Sequence, residues 1–211
     1  VTLFGESGGG AATQAVAATP AARGLLHRVI PQSGGHAAQY AESASAITAL
    51  ALDELGIKPG DLDALRAVHW SRFAEIYDVL QASGHGRPQV YIPVISDAMP
   101  EHPVDAGFAG MGTELDCMIG TCRDEFRLLA ALLRGRVDTP FHDRADWLIE
   151  AGGGDRAALA AAYRAERPDL DEDDVENAIL GDLWFRVPSI RIADGHAHSA
   201  AQDTGLSLIH I

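Results

Sequence analysis

The chain has 211 residues, 47% of them apolar and 22% charged, with a formal net charge of −14 at pH 7. This describes a globular chain large enough for one domain or part of a larger one, not a disordered segment. The acidic excess argues against nonspecific nucleic-acid or anionic-membrane binding, and there is no apolar run long enough to span a bilayer.

In chain order, Val1-Thr2-Leu3-Phe4 reads as the end of a buried strand. Gly5-Glu6-Ser7-Gly8-Gly9 follows and fits G-x-S-x-G, and Gly10 to Ala18 reads as a helix start. Strand, motif and helix in that order form the setting of a nucleophile elbow. A sharp bend pushes the serine Oγ out of the sheet edge. Glycines on either side remove Cβ atoms that would collide, and the helix aims N–H groups at the same place. Arg28 to Gln32 is a second strand, closing on Gly34-Gly35. Strand, helix, strand predicts a parallel, right-handed βαβ unit with Ser7 and Ser33 at the carboxyl ends of neighbouring strands.

Glu42 to Leu55 reads as a helix closed by Gly56, and Asp61 caps a short helix through Arg66. Ser71 to Gln81 is read as one helix with Phe73, Ile76, Tyr77 and Leu80 on a face. A loop at 83–88, an extended stretch Gln89–Ile95, a turn at Ser96–Pro100 and a short helix Pro103–Gly110 follow. Leu115–Gly120 is a further buried-type strand, ending at Thr121-Cys122-Arg123-Asp124-Glu125. Helices are expected over Phe126–Arg134, Arg144–Glu150 and Arg156–Glu166, the last two joined through Gly152-Gly153-Gly154. The acidic run Asp169 to Asp174 reads as dipole-favourable surface charge opening a helix to about Phe185. Val187-Pro188 is expected to interrupt, with a final helix from Ser189 to about Ala200. Cys117 and Cys122 make no disulfide framework. They are expected as two buried or half-buried thiols without a mutual bridge.

Leu206-Ser207-Leu208-Ile209-His210-Ile211 reads like a translated sequencing adaptor and is set aside as a non-native tail, leaving residues 1–205 as a partial domain. The chain starts within a strand and without Met, so an internal piece, incomplete at both ends, is expected.

A serine nucleophile needs a base, and the base needs an orienting acid. In α/β-hydrolases the acid follows a later strand, which fits Glu125 and equally its neighbour Asp124. Among the nine histidines, His196 and His198 follow Ser7 and Glu125 in order but fall on the expected last helix, and His210 falls in the tail. His27, His36, His69, His85, His102 and His142 read as surface or loop residues. The histidines near the end lack metal-site spacing.

Residues 1–35 and 89–128 resemble the type B carboxylesterase family, which includes cholinesterases and bacterial para-nitrobenzyl esterases. Phe4-Gly5-Glu6-Ser7-Gly8-Gly9 matches its F-G-E-S-A-G, and Gly24 to Gly34 matches G-L-F-x-R-A-I-x-Q-S-G. Ile92 to Asp97 with Met99-Pro100 matches P-V-x-D-G-x-x-L-P, and Ile119 to Glu125 matches I-G-T-x-x-D-E. A weaker match covers Phe185 to Arg191.

The resemblance implies an α/β-hydrolase fold: the C-terminal part of a mostly parallel sheet with flanking and cap helices. It implies an enzyme cleaving a small-molecule carboxylic ester through an acyl-enzyme, with no cofactor or metal. Ser7 becomes the nucleophile, and Glu125 rather than Asp124 the triad acid. The N–H of Gly8 becomes an oxyanion-hole donor, and Glu6 and Ser33 become supporting residues beside the site. The family's H-G-G-type loop and catalytic histidine are expected outside this chain, so the piece alone is expected to be inactive. The helices from Glu42 to Gln81 and from Phe126 to Phe185 would form cap and gorge wall. Trp70, Phe73, Tyr77, Phe126, Trp147, Trp184 and Phe185 are candidates for pocket lining, most of them expected to be core. A non-catalytic adhesion or binding relative, or another α/β-hydrolase such as a lipase or peptidase, are the alternatives.

Overall fold

Three short apolar stretches rich in β-branched residues pair side by side because each must satisfy its backbone N–H and C=O groups away from water. They are β1 (Thr2–Glu6), β2 (Arg28–Gln32) and β3 (Asp116–Thr121). With β4 (Leu206–His210) they form a four-stranded sheet in the order β1-β2-β3-β4, all parallel. The computed structural model describes residues 1–35, 37–83, 90–128, 149, 154–199 and 205–210. The chain divides into two units, residues 1–36 with 103–211, and residues 37–102.

In the first unit the register sets the level of the site. Glu6 lies opposite Gln32, and Gln32 opposite Gly120, so the carboxyl ends of β1, β2 and β3 finish together. The β2–β3 pairing skips from Val29 to Gln32. Pro31 lies in that gap and has no N–H to donate. Helix α1 (Gly8–Ala17) connects β1 to β2, as the parallel pairing demands. It buries Gly10, Ala11, Thr13, Gln14 and Ala15. Beneath the sheet, Val29, Leu115, Cys117, Ile119 and Ala193 form one core cluster, with Leu3, Ala17, Leu26 and Ile192 against it. A second cluster gathers Phe126, Ile149, Val175, Ile179, Leu180, Trp184 and Phe185.

Several expectations are corrected. Val1 to Phe4 is not fully buried: Val1 is 73% and Phe4 72% exposed, and β1 is the edge strand of the sheet among the described residues. The interruption at Val187-Pro188 does not occur. The helix Glu172–Gly181 runs through a π-helical segment, Asp182–Arg186, into the helix Val187–Ser199. Pro188 has no N–H to give to the preceding turn, and the π-helical winding before it, in which the Val187 N–H reaches back to the Asp182 carbonyl, accommodates that gap. Residues 206–210, set aside from the fold, form β4 against β3, with Cys117 opposite Leu206 and Thr121 opposite His210. An extended apolar stretch can satisfy the N–H and C=O groups along a strand edge whatever its origin. Cys122 is exposed, although Cys117 is buried as expected, and both are free thiols. No helix among the described residues is long and apolar enough to cross a membrane.

In the second unit the expected helix Ser71–Gln81 is two helices, Trp70–Glu75 and Tyr77–Ala82, broken at Ile76. Ile76 and Leu80 nevertheless share one core with Ile47 and Val90, and Tyr77 packs against it. The helix Ala41–Leu55 ends on Gly56 in the left-handed conformation, and Asp61 caps Leu62–Ala67 by accepting the Ala64 N–H. The described part of the stretch expected over Gln89–Ile95, residues 90–95, contributes an isolated bridge between Val94 and Gln39 rather than a strand. Most of the helices expected over 126–134 and 144–150, and His36, His85, His142 and Trp147, lie outside the described residues.

Candidate active site

Ser7 has φ 55° and ψ −119°, a backbone conformation that L-residues other than glycine rarely adopt. Such a residue costs on the order of 1–3 kcal/mol and persists only where its surroundings impose it. Here they do. The Ser7 N–H donates to the Gln32 carbonyl at 2.9 Å, tying the bend to β2, and the Ser7 carbonyl accepts the Ala11 N–H at 2.9 Å, opening α1. The Ser7 side chain caps no helical N–H.

The glycines of the motif divide their work unequally. A Cβ on Gly5 would stand 2.3 Å from the Gly9 carbonyl carbon, and one on Gly10 would stand 2.4 Å from the Gln32 oxygen. Gly8 and Gly9 have open space where a Cβ would go. The expectation that glycines on both sides of the serine relieve a collision therefore holds for Gly5 but not for Gly9. Gly8 is exposed and is the first residue of α1, so its N–H has no intrahelical acceptor.

Ser33 follows β2 as Ser7 follows β1. It too has a positive φ, 48°, and its N–H donates to the Gly120 carbonyl at 2.8 Å. Its buried hydroxyl donates to Oε1 of Glu125 at 2.6 Å. The same oxygen accepts the Cys122 N–H at 2.8 Å. Glu125, just past β3, is thus oriented by the residue that follows β2 and by its own turn. Asp124 instead pairs with Arg123 in solvent. Glu6 is exposed at the end of β1. Its charge and that of Glu125 reach the Cys122 thiol: partial burial first, then Glu125 and then Glu6, push that thiol up, while a hydrogen bond with Ser33 pulls it down.

Ser33, Glu125, Cys122 and Glu6 therefore form one neighbourhood at the carboxyl edge of the sheet, and β1 delivers Ser7 to that edge. His196 is not there. Its ring Nε2 bonds the Leu115 carbonyl at 2.7 Å, at the opposite, amino end of β3. His198 bonds the Asp194 carbonyl of its own helix at 2.7 Å. Phe126, Trp184 and Phe185 are core residues in mutual ring contact, and Trp70 is 73% exposed in the second unit. No group of three or more metal-ligating side chains occurs among the described residues.

Sequence reading passed over two features at this edge. One is the Cys122 backbone N–H as a donor to Glu125. The other is Arg186, which donates to the Arg123 carbonyl at 3.0 Å and the Cys122 carbonyl at 3.5 Å. The only sequence signal for the second was the weak match over Phe185 to Arg191.

Comparison with known proteins meets this geometry from another direction. The chain is 31% identical over 205 residues to a para-nitrobenzyl esterase of Bacillus subtilis (strain 168), covering 95% of this chain and 40% of that protein. It is 30% identical over 204 residues to a phenmedipham hydrolase of Pseudarthrobacter oxydans, covering 93% of this chain and 40% of that protein. Among solved structures, a Geobacillus stearothermophilus carboxylesterase superposes with a TM-score of 0.77 at 25% identity, covering 99% of this chain and 43% of that one. A PNB esterase gives 0.72 at 26% identity, covering 100% and 43%. The chain thus spans about 40% of the length of the curated relatives it matches. The sheet and helices are those of an α/β-hydrolase. The sequence model of the Carboxylesterase family matches residues 1–204, nearly the whole chain, and the chain belongs to that family.

Proposed function

We propose that the protein is a serine ester hydrolase that cleaves small carboxylic esters through an acyl-enzyme. The observation that carries this is the strained Ser7 elbow at the same sheet edge as a Glu125 carboxylate fixed by Ser33. The esterase relatives supply the reaction class.

In this reading Ser7 Oγ attacks the ester carbonyl carbon while a histidine removes its proton. The carbonyl oxygen becomes an oxyanion facing the Gly8 N–H and the start of α1, where helix geometry favours negative charge. The histidine passes its proton to the leaving alcohol, and water then cleaves the acyl-enzyme by the same steps in reverse. Glu125 holds the imidazole in the productive tautomer and stabilises it as it becomes positive. Glu6 adds negative potential at the same edge. We place the base on a histidine outside these 211 residues, as the resemblance implies; His196 and His198 are engaged away from that edge, and β4 sets His210 opposite Thr121. The remaining oxyanion donors are placed on a Gly-rich loop before the elbow. The chemistry calls on no cofactor or metal.

The test is hydrolysis of 4-nitrophenyl butyrate by the full-length protein. Ser7→Ala should lower kcat by roughly 10⁴-fold or more, as removal of a serine nucleophile does. Activity retained in that variant would overturn the reading.

A further inference from the structure

We infer that Arg186 is a positioning residue for Glu125, acting through the backbone of the turn that carries it. This rests on the serine-hydrolase reading above for its catalytic consequence, but its structural basis stands separately.

The turn 121–125 must present one carboxylate in one direction. From inside, the Cys122 N–H and the Ser33 hydroxyl fix Glu125 Oε1. From outside, a single guanidinium nitrogen of Arg186 donates to the carbonyls of both Cys122 and Arg123. The Cys122 residue is therefore held at both its backbone polar groups: its N–H by Glu125 and its C=O by Arg186. A rotation that released the carboxylate would also have to break the Arg186 bonds.

Arg186 is itself held. Its Nη1 pairs with Asp182 Oδ1 at 2.5 Å, with both side chains partly buried. Asp182 Oδ2 accepts the Tyr163 hydroxyl at 2.5 Å, which anchors the pair to the helix Arg156–Glu166. The π-helical segment Asp182–Arg186 makes this possible. Trp184 and Phe185 enter the core against Phe126, while Asp182 and Arg186 line a cleft of about 550 Å³ beside the turn. The widened turn accommodates both sets at once, and single π-turns of this kind often accompany functional sites. Arg127 in the same cleft is bound to Asp174. Arg123 and Arg167, which also line the cleft, pair with Asp124 and Asp169. Arginine suits the positioning task because its planar fork can bind a carboxylate and two carbonyls together, whereas an ammonium is a single point charge.

The experiment is a double-substitution cycle on the full-length protein with 4-nitrophenyl butyrate. Arg186→Met keeps the stem and removes the donors. It should lower kcat about tenfold with KM changed less than about twofold, because misplacing a group that acts on proton transfer affects rate and not substrate binding. In a Glu125→Gln background the same substitution should cost less than about twofold, since groups acting as a unit are not additive. Arg186→Lys should recover less than about a third of wild-type kcat, because an ammonium cannot hold the carboxylate and both carbonyls together. Equal losses in both backgrounds, or a loss confined to KM, would overturn the proposal. Amide hydrogen exchange at Cys122 reads the pinning without turnover. It should quicken about tenfold in Arg186→Met while exchange in β2 is unchanged. Unchanged exchange at Cys122 overturns the proposal whatever the activity. Hydrolysis that survives Ser7→Ala would instead overturn only the catalytic reading.

Discussion

The Ser33 hydroxyl donates to Glu125 Oε1 at 2.6 Å, from a residue with φ 48°. A non-glycine residue in that conformation costs roughly 1 kcal/mol or more. Ser33→Gly and Ser33→Ala both remove the hydroxyl, but only glycine removes the strain. The two variants should lose activity alike, about tenfold in kcat, with one donor to Oε1 remaining on the Cys122 N–H. Their stabilities should differ, Ser33→Gly standing about 1 kcal/mol above Ser33→Ala in urea unfolding. Equal stability would mean that the turn relaxes when the side chain changes.

Glycines in the elbow should respond to alanine according to position rather than motif. At Gly10 a Cβ meets the Gln32 oxygen at 2.4 Å and the Gly34 Cα at 2.9 Å, all of it backbone. Gly10→Ala must push α1 off β2 and should cost about 3 kcal/mol or more. At Gly8 a Cβ meets nothing within 4 Å. Gly8→Ala keeps the backbone N–H and restricts the unfolded chain, so it should stabilise by about 0.5–1 kcal/mol with activity retained. Thermal unfolding of the two variants separates these outcomes.

The exposed Cys122 thiol offers a reporter of charge at the proposed site. Burial and the Glu125 and Glu6 carboxylates push it above its ordinary value. The thiolate is the reactive form, so modification by a disulfide reagent at pH 8 should be slower than for a free cysteine. Glu125→Gln and Glu6→Gln should each move the pH profile of modification downward, Glu125→Gln further, because its charge weighs more. A profile indifferent to both substitutions would show that neither carboxylate faces the thiol.

The elbow was legible because three local signals agree there: an extended apolar run, G-x-S-x-G, and a helix start. Ser33 was legible for the same reason, as a residue closing the next parallel strand. What stayed hidden depends on packing between distant segments. Nothing in Asp182–Arg186 announces a π-turn, since its wider winding accommodates Trp184 and Phe185 in the core beside Phe126. Local pattern likewise runs straight through Ile76, whereas the chain leaves the helix there at φ −86° and ψ −4°. The sequence predicts buried or half-buried thiols at both Cys117 and Cys122. They differ because one lies inside β3 and the other just beyond its end.

Cys117 should make the fold sensitive to alkali. It is buried on β3 among Val29, Leu115, Ile119 and Ala193, and burial pushes its thiol up to about 11. An unfolded thiol titrates near 8.5. Between those values the native state holds a proton that the unfolded state has released. Stability is then full below about pH 8.5 and falls as pH rises toward about 11. Across that window the loss amounts to about 3 kcal/mol. Cys117→Ala removes the titration at the cost of a small cavity beside Ile119, so it should be the less stable variant at pH 7. Its stability should decline less steeply from pH 8 to 11, narrowing the gap to wild type or reversing it. Urea midpoints at pH 7, 9 and 10.5 for both proteins measure this, and parallel declines would show that the thiol does not titrate differently on folding.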